Sequence, residues 1–113
     1  SDIDAQWTVP EKWLQLPSVL QCLTLLRVME EALTNIMKHS DASQVYVQVQ
    51  YRGVDHLHVD VQDNGRGFNQ ESIQKMGLTV GLKSMQARVE KMNGEIDITS
   101  QPGCTRIHLV LKL

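Results

Sequence analysis

The run Arg27-Val-Met-Glu-Glu-Ala-Leu-Thr-Asn-Ile-Met-Lys38 sets Glu31, Asn35 and Lys38 at spacings of four and three residues. On a helix such positions are neighbours, so a carboxylate, a carboxamide and an ammonium share one polar strip. Hard oxygen donors beside a cation suit a metal-bound phosphate.

Two further groups carry chemistry. Asp63-Asn-Gly-Arg-Gly67 is a D-x-G-x-G at the end of a strand-like segment, and Asp63 continues the apolar set Leu57, Val59 and Val61. That parity takes a carboxylate into an apolar layer, where an unpartnered charge is costly, so the residue calls for a dedicated hydrogen-bond donor such as an adenine amino group. Gly65 and Gly67 leave room for the backbone to turn and to approach a ligand. In isolation the same residues also describe an ordinary Asn-Gly turn capped by Asp63. Gly77-Leu-Thr-Val-Gly81-Leu82 reads as the opening of a helix, where free backbone amides and the helix dipole favour an anion; a flexible loop with an N-cap fits it as well. Thr105 shares the parity of Ile107, which points its hydroxyl into the layer of Asp63.

The elements that must position these residues follow from hydrophobic period. Pro17, Ser18 and Gln21 form a capping-box start, and Leu23, Leu26, Met29, Leu33 and Ile36/Met37 recur at helical spacing, so a helix is predicted from about Val19 to His39. Glu30 is expected to turn toward that apolar stripe, one position away from the polar strip of Glu31. Val45, Val47 and Val49, then Leu57, Val59 and Val61, alternate with polar residues around a turn at Arg52-Gly53. A second hairpin pairs Ile96 and Ile98 with Ile107, Leu109, Leu111 and Leu113 through Pro102-Gly103. Between the hairpins, Leu82, Met85, Val89 and Met92 mark a second helix that stops near Asn93-Gly94. Strands with one apolar and one polar face predict a two-layer α/β sandwich: a mostly antiparallel mixed sheet covered by helices on one side. Its polar face is expected to be solvated or to dock another domain. Residues 1–17, with Trp7, Val9, Trp13 and Leu16, form either an edge strand or a packed loop.

A chain of 113 residues fits one domain with one core. Eleven basic and thirteen acidic residues leave a formal charge of −2, so no global basic field points to nucleic acid and any phosphate recognition must be local. Cys22 and Cys104 read as small buried thiols, which predicts a reducing, cytoplasmic setting. No stretch approaches a membrane span. The opening Ser1-Asp2-Ile3-Asp4 reads as the boundary of a longer protein that could carry its own membrane anchor.

The order of the three groups brings out a family resemblance. From about Pro17 to Leu113 the chain resembles the catalytic ATP-binding domain of two-component sensor histidine kinases, within the GHKL group of ATPases. Glu31-Ala-Leu-Thr-Asn-Ile-Met-Lys-His39, followed by Ser40-Asp-Ala-Ser43, resembles the kinase subgroup with an E-A-L-x-N-x-x-K-H helix. Gly81-Leu-Lys-Ser-Met-Gln-Ala-Arg88 resembles the same subgroup's G-L-x-x-M-x-x-R helix.

The resemblance implies ATP and Mg²⁺ as ligands. It makes Asn35 the metal ligand, Lys38 a phosphate contact and Glu31 the general base or polarising group. His39 would either help hold the nucleotide or pack beside the helix end. Asp63 would read adenine, Gly65 and Gly67 would shape that pocket, and Gly81, Leu82 and Thr105 would line the phosphate side, under a lid from about Phe68 to Val80. Two positions depart from the pattern: Thr79 stands at the middle of the lid's G-x-G-x-G, and Gln86 where the subgroup often has a basic residue. No segment resembles the phosphoacceptor helix pair, and His56, His58 and His108 read as solvated strand residues. The implied partners are therefore a separate histidine-bearing dimerisation domain of the same full-length protein and a response regulator, with the isolated domain a monomer that does not phosphorylate itself. A GHKL ATPase, an anti-sigma-factor-type serine kinase, or an interaction module with a vestigial nucleotide site would share many of these residues.

Overall fold

The computed structural model describes residues 3–35, 41–65, 78–101 and 103–113; for residues 35, 78–82, 100 and 101 the backbone alone is described. The chain order is β1 (Asp4–Thr8), α1 (Val19–Asn35), β2 (Gln44–Arg52), β3 (His56–Asp63), α2 (Leu78–Lys91), β4 (Gly94–Gln101) and β5 (Cys104–Lys112). The strands form one sheet in the order β1-β2-β3-β5-β4, with β1 parallel to β2 and the other pairings antiparallel. The expected two-layer α/β sandwich with a mixed sheet is therefore found. Of the segment 1–17, for which an edge strand or a packed loop is expected, the described residues 3–17 form the edge strand β1 followed by a connector held at Tyr51. The Tyr51 hydroxyl donates to the Gln15 carbonyl at 2.6 Å, and its ring meets Trp13 edge-on at 6.0 Å between centroids.

Helix α1 starts as its cap sequence requires. The Gln21 amide donates to Ser18 Oγ at 3.1 Å, and the Ser18 amide donates to Gln21 Oε1 at 3.0 Å, which satisfies two otherwise free donors reciprocally. Gln21 Nε2 also donates to the Lys112 carbonyl at 2.8 Å, so the cap ties the helix start to the end of β5. The inward face of α1 differs in part from the expected one: Met29 and Leu33 pack on the core as expected, but the stripe is centred elsewhere. Val28 and Ala32 are buried, with Leu25 and Met29 partly so, whereas Leu23 and Leu26 are 53% and 65% exposed. Glu30 accordingly lies exposed rather than turned into the apolar layer. The small Ala32 lets the helix lie close against the sheet. Helix α2 turns Met85 and Val89 inward as expected.

Under the helices, Leu57, Val59, Leu109 and Leu111 form the centre of the core with Val28, Met85 and Val89. A second group, Ala32, Ala42, Val45, Val47, Val61 and Ile107, continues it toward the end of β3. Burial of such side chains contributes roughly 1.5–3 kcal/mol each before conformational entropy is subtracted. The other sheet face is less solvated than its polar pattern implies. Asp60 points there and is only 4% exposed, because Arg106 and His108 from β5 enclose it.

Chain reversal after α2 uses Asn93, whose φ is 59°. The following Gly94 is required for space: a Cβ there would lie 2.8 Å from the Val110 carbonyl oxygen, from a Leu111 methyl and from a Val89 methyl. Gly103, with φ of 88° and nothing within 4 Å of an added Cβ, is constrained by backbone conformation alone. Gly94→Ala is expected to cost more than the roughly 1–3 kcal/mol typical of overpacking, since one clash is with backbone. Gly103→Ala should cost only about 1 kcal/mol. Urea unfolding of both variants checks the ranking, and equal losses would refute the steric argument at Gly94.

Candidate functional site

Strand β3 carries Asp63 between Val45 on β2 and Thr105 on β5, its partners in the register. The period of two delivers the carboxylate to the helix-covered side, where it is 5% exposed and Thr105 is 4% exposed. Asp63 Oδ1 accepts the Gly65 amide at 2.8 Å. Oδ2 is buried and, among the described residues, has no hydrogen-bond partner. Burial pushes the carboxyl above its ordinary range, and the single Gly65 hydrogen bond offsets this only in part. A buried acceptor in this state is either a cost or a receptor for a donor from outside.

The turn that holds Asp63 is pinned by Asn64, a residue whose importance is not apparent from the D-x-G-x-G pattern. Asn64 Oδ1 accepts the amides of Ser43 and Gln44, each at 2.9 Å, and its Nδ2 donates to Ser43 Oγ at 2.9 Å. The Gly65 carbonyl accepts the Gly103 amide at 2.9 Å, which couples this turn to the β4–β5 hairpin. Asp63, Gly65 and Thr105 thus come together as one unit fixed from both neighbouring strands.

Helix α1 approaches the same end of the sheet. Ala32, 1% exposed, packs in the cluster with Val61, two residues before Asp63, and Ile107, two residues after Thr105, all on the inner face. Asn35 follows Ala32 by three positions and is the last described residue of α1. Glu31 is half-buried and lines a cleft of about 420 Å³ between the helices, with Arg27, Glu30, Thr34, Ser84, Met85 and Arg88. Arg27 and Arg88 bring positive charge to this cleft that the Glu31–Asn35–Lys38 strip does not include.

Helix α2 starts at Leu78, inside the run of residues 77–82 expected to open it, so residues 78–80, counted with the expected lid, are helical. Residues 78–80 suit a helix as well as a loop, and a glycine is tolerated within a first turn. Gly81 and Leu82 therefore sit inside that turn, and the amides without an intrahelical partner are those just before them. Lys38, His39, Gly67 and most of the expected lid over residues 68–80 lie outside the described residues.

Among the described residues no helix is long and apolar enough to cross a membrane. Residues 22–113 match the family described as histidine kinase-, DNA gyrase B-, and HSP90-like ATPase. The sensor protein VraS of Staphylococcus haemolyticus is 35% identical over 86 residues, which cover 75% of this chain and 24% of VraS. VraS of Staphylococcus aureus matches to the same extent. The chain thus spans about a quarter of the length of these curated relatives. In fold it is similar to the Erythrobacter litoralis EL346 blue-light activated histidine kinase, with a TM-score of 0.81 and 18% identity over 100% of this chain and 36% of that one. It is likewise similar to the mycobacterial sensor histidine kinase MprB, with a TM-score of 0.71 and 22% identity over 98% of this chain and 82% of that one. The chain belongs to the histidine kinase-, DNA gyrase B- and HSP90-like ATPase family, in the form that sensor histidine kinases use as their ATP-binding catalytic domain.

Proposed function

We propose that this domain binds Mg²⁺-ATP between α1, the end of β3 and the start of α2, and donates the γ-phosphoryl group to a histidine on a separate dimerisation domain of the full-length protein. The phosphoryl group then passes to an aspartate of a response regulator. The observation that carries this reading is the buried Oδ2 of Asp63, which has no hydrogen-bond partner among the described residues. An adenine amino group supplies the missing donor, and the purine is an apolar plate suited to the layer beneath α1.

The remaining residues take roles by position. Gly65 and Gly67 shape the adenine end, and Thr105 stands next to Asp63 on β5. Gly81 and Leu82, near the start of α2, line the phosphate side, and Lys38 and His39 contact the nucleotide. Asn35 would hold Mg²⁺. One carboxamide plus phosphate oxygens is the kind of sparse protein ligation this cation accepts, so no protein cage is needed. When bound, the metal neutralises phosphate charge and fixes the orientation of the γ-phosphoryl group. Glu31, one turn before Asn35 and facing the cleft, polarises the incoming imidazole of the acceptor histidine or takes its proton. Positioning and charge neutralisation supply most of the rate in such transfers.

Asp63 links recognition to stability with a definite sign. Its pKa is raised in the folded state, so its stabilising contribution is present below the unfolded value and is lost as pH rises through the folded one. At neutral pH the free domain therefore holds this carboxylate at a cost. Asp63→Asn keeps the shape and the Gly65 bond but presents Nδ2, a donor, where Oδ2 accepted. The variant is expected to melt at or above the wild-type temperature at pH 7, with the difference shrinking as pH falls into the carboxylate range. It should lose the ATP-dependent thermal shift, which for the wild type corresponds to about 2.7 kcal/mol at a hundredfold excess over Kd. A destabilised variant that keeps the nucleotide shift would overturn the assignment.

Asn35 and Glu31 separate in the same way. Asn35→Ala should abolish the gain in nucleotide affinity that Mg²⁺ confers, measured by calorimetry with and without the metal. Glu31→Gln should keep that affinity and slow phosphorylation of an added histidine-bearing dimerisation domain by roughly 10²–10⁴-fold. Full transfer activity in Glu31→Gln would remove Glu31 from the chemistry.

A further inference from the structure

The sheet face opposite the helices carries a side-chain arrangement that ATP binding does not use. Asp60 Oδ1 accepts His108 Nδ1 at 2.7 Å, together with Arg106 Nε at 2.8 Å and Arg106 Nη2 at 2.7 Å. Burial alone would raise the Asp60 carboxyl, but the His108 and Arg106 hydrogen bonds outweigh it and hold it below its ordinary range. An oxygen that takes two Arg106 donors acts as an acceptor toward His108 as well, so Nδ1 is the nitrogen through which His108 donates to Asp60. The Nε2 lone pair of His108 is left facing His58 Nδ1 at 3.2 Å, with the two rings 5.1 Å apart between centroids.

We propose that His58 Nδ1 and His108 Nε2 form a binding site for a divalent transition-metal ion of the Zn²⁺ type, with Asp60 as the carboxylate behind His108. Two nitrogens bound tetrahedrally to Zn²⁺ at about 2.0–2.1 Å stand roughly 3.3 Å apart, which is nearly the separation these atoms already have. A metal-bound imidazole almost always donates its other N–H to a carboxylate or carbonyl, and His108 does so here before any metal arrives. Arg106 in turn fixes that carboxylate. Imidazole donors select Zn²⁺, Cu²⁺ or Ni²⁺ over the Mg²⁺ that serves ATP.

Metal entry needs little rearrangement. In the free protein His58 Nδ1–H donates to His108 Nε2. When the cation bridges the two nitrogens, His58 moves this proton from Nδ1 to Nε2, so no proton is gained or lost by the pair. Among the described residues no set of three His, Cys, Asp or Glu side chains is gathered for a metal, so the other coordination positions go to water. The site is therefore open and exchangeable rather than a closed structural centre.

Titration of the metal-free 113-residue chain with Zn²⁺, without nucleotide, tests this. Calorimetry should find one equivalent bound, with His58→Ala and His108→Ala each abolishing that event and Asp60→Asn weakening it by roughly 10–100-fold. His56→Ala, on the neighbouring exposed ring, should bind as the wild type does. Side-chain NMR of the wild type gives a readout independent of variant folding: the ring protons of His58 and His108 should shift together at one equivalent, and those of His56 should not. Absence of stoichiometric binding, or equal binding by the two alanine variants, or shifts confined to other histidines, would overturn the site.

Discussion

The alternation of side chains along β3 is the constraint on which the rest of this domain depends. Leu57, Val59 and Val61 face the helices and are buried at 0–3% exposure, and the same period carries Asp63 to that side at the strand's end. A slip of one residue would put the apolar set in water and the carboxylate with it. Burial of three aliphatic side chains thus enforces burial of a charge whose Oδ2 has no partner among the described residues. The register also selects its neighbours, since pairing β3 with β5 brings Thr105 opposite Asp63.

The helices are set by contacts at both ends of the sheet. Gln21 fastens the start of α1 to the Lys112 carbonyl at one end, and Ala32 seats the helix on Val61 and Ile107 near the other. With the axis fixed at two points, the helical period determines where Glu31 and Asn35 stand. Asn64 performs the comparable task for the β3 turn, because its side chain replaces backbone pairing for Ser43 and Gln44. Rigid elements therefore carry the adenine end of the proposed nucleotide site.

Much of this was legible in the sequence because it rests on local rules. The capping box at Ser18 and Gln21, the alternating strands, the turn at Asn93-Gly94 and the inward direction of Asp63 each follow from a short pattern. What escaped depended on which of two compatible arrangements tertiary packing selects. Helix α1 has apolar residues on two stripes, and periodicity does not say that the Val28 and Ala32 stripe meets the sheet while Leu23 and Leu26 remain outside. The parallel pairing of β1 with β2 spans about 40 residues and has no local signal. The roles of Asn64, Arg106 and His108 depend on register between strands far apart in the chain, so the polar face is expected to be solvated or to dock another domain, although Asp60 on it is 4% exposed.

Asp60 and Asp63 together show how environment, rather than residue type, assigns a task. They lie three positions apart on β3, point to opposite faces and are buried almost equally, at 4% and 5% exposure. On the outer face, Arg106 and His108 supply charge and hydrogen bonds that outweigh the burial of Asp60 and keep it ionised. On the inner face, burial dominates and Asp63 is raised, with the Gly65 amide offsetting it in part. The first carboxylate is satisfied by the protein and organises its neighbours, so it can orient an imidazole but has no capacity left for a ligand on Oδ1. The second leaves an acceptor unpaired in a place water does not readily satisfy, which costs free energy in the empty domain. In the proposed nucleotide complex that cost is recovered when the adenine amino group enters. Under the proposed function, recognition belongs to the carboxylate that folding leaves incomplete, while the neighbouring completed one builds the opposite face of the sheet.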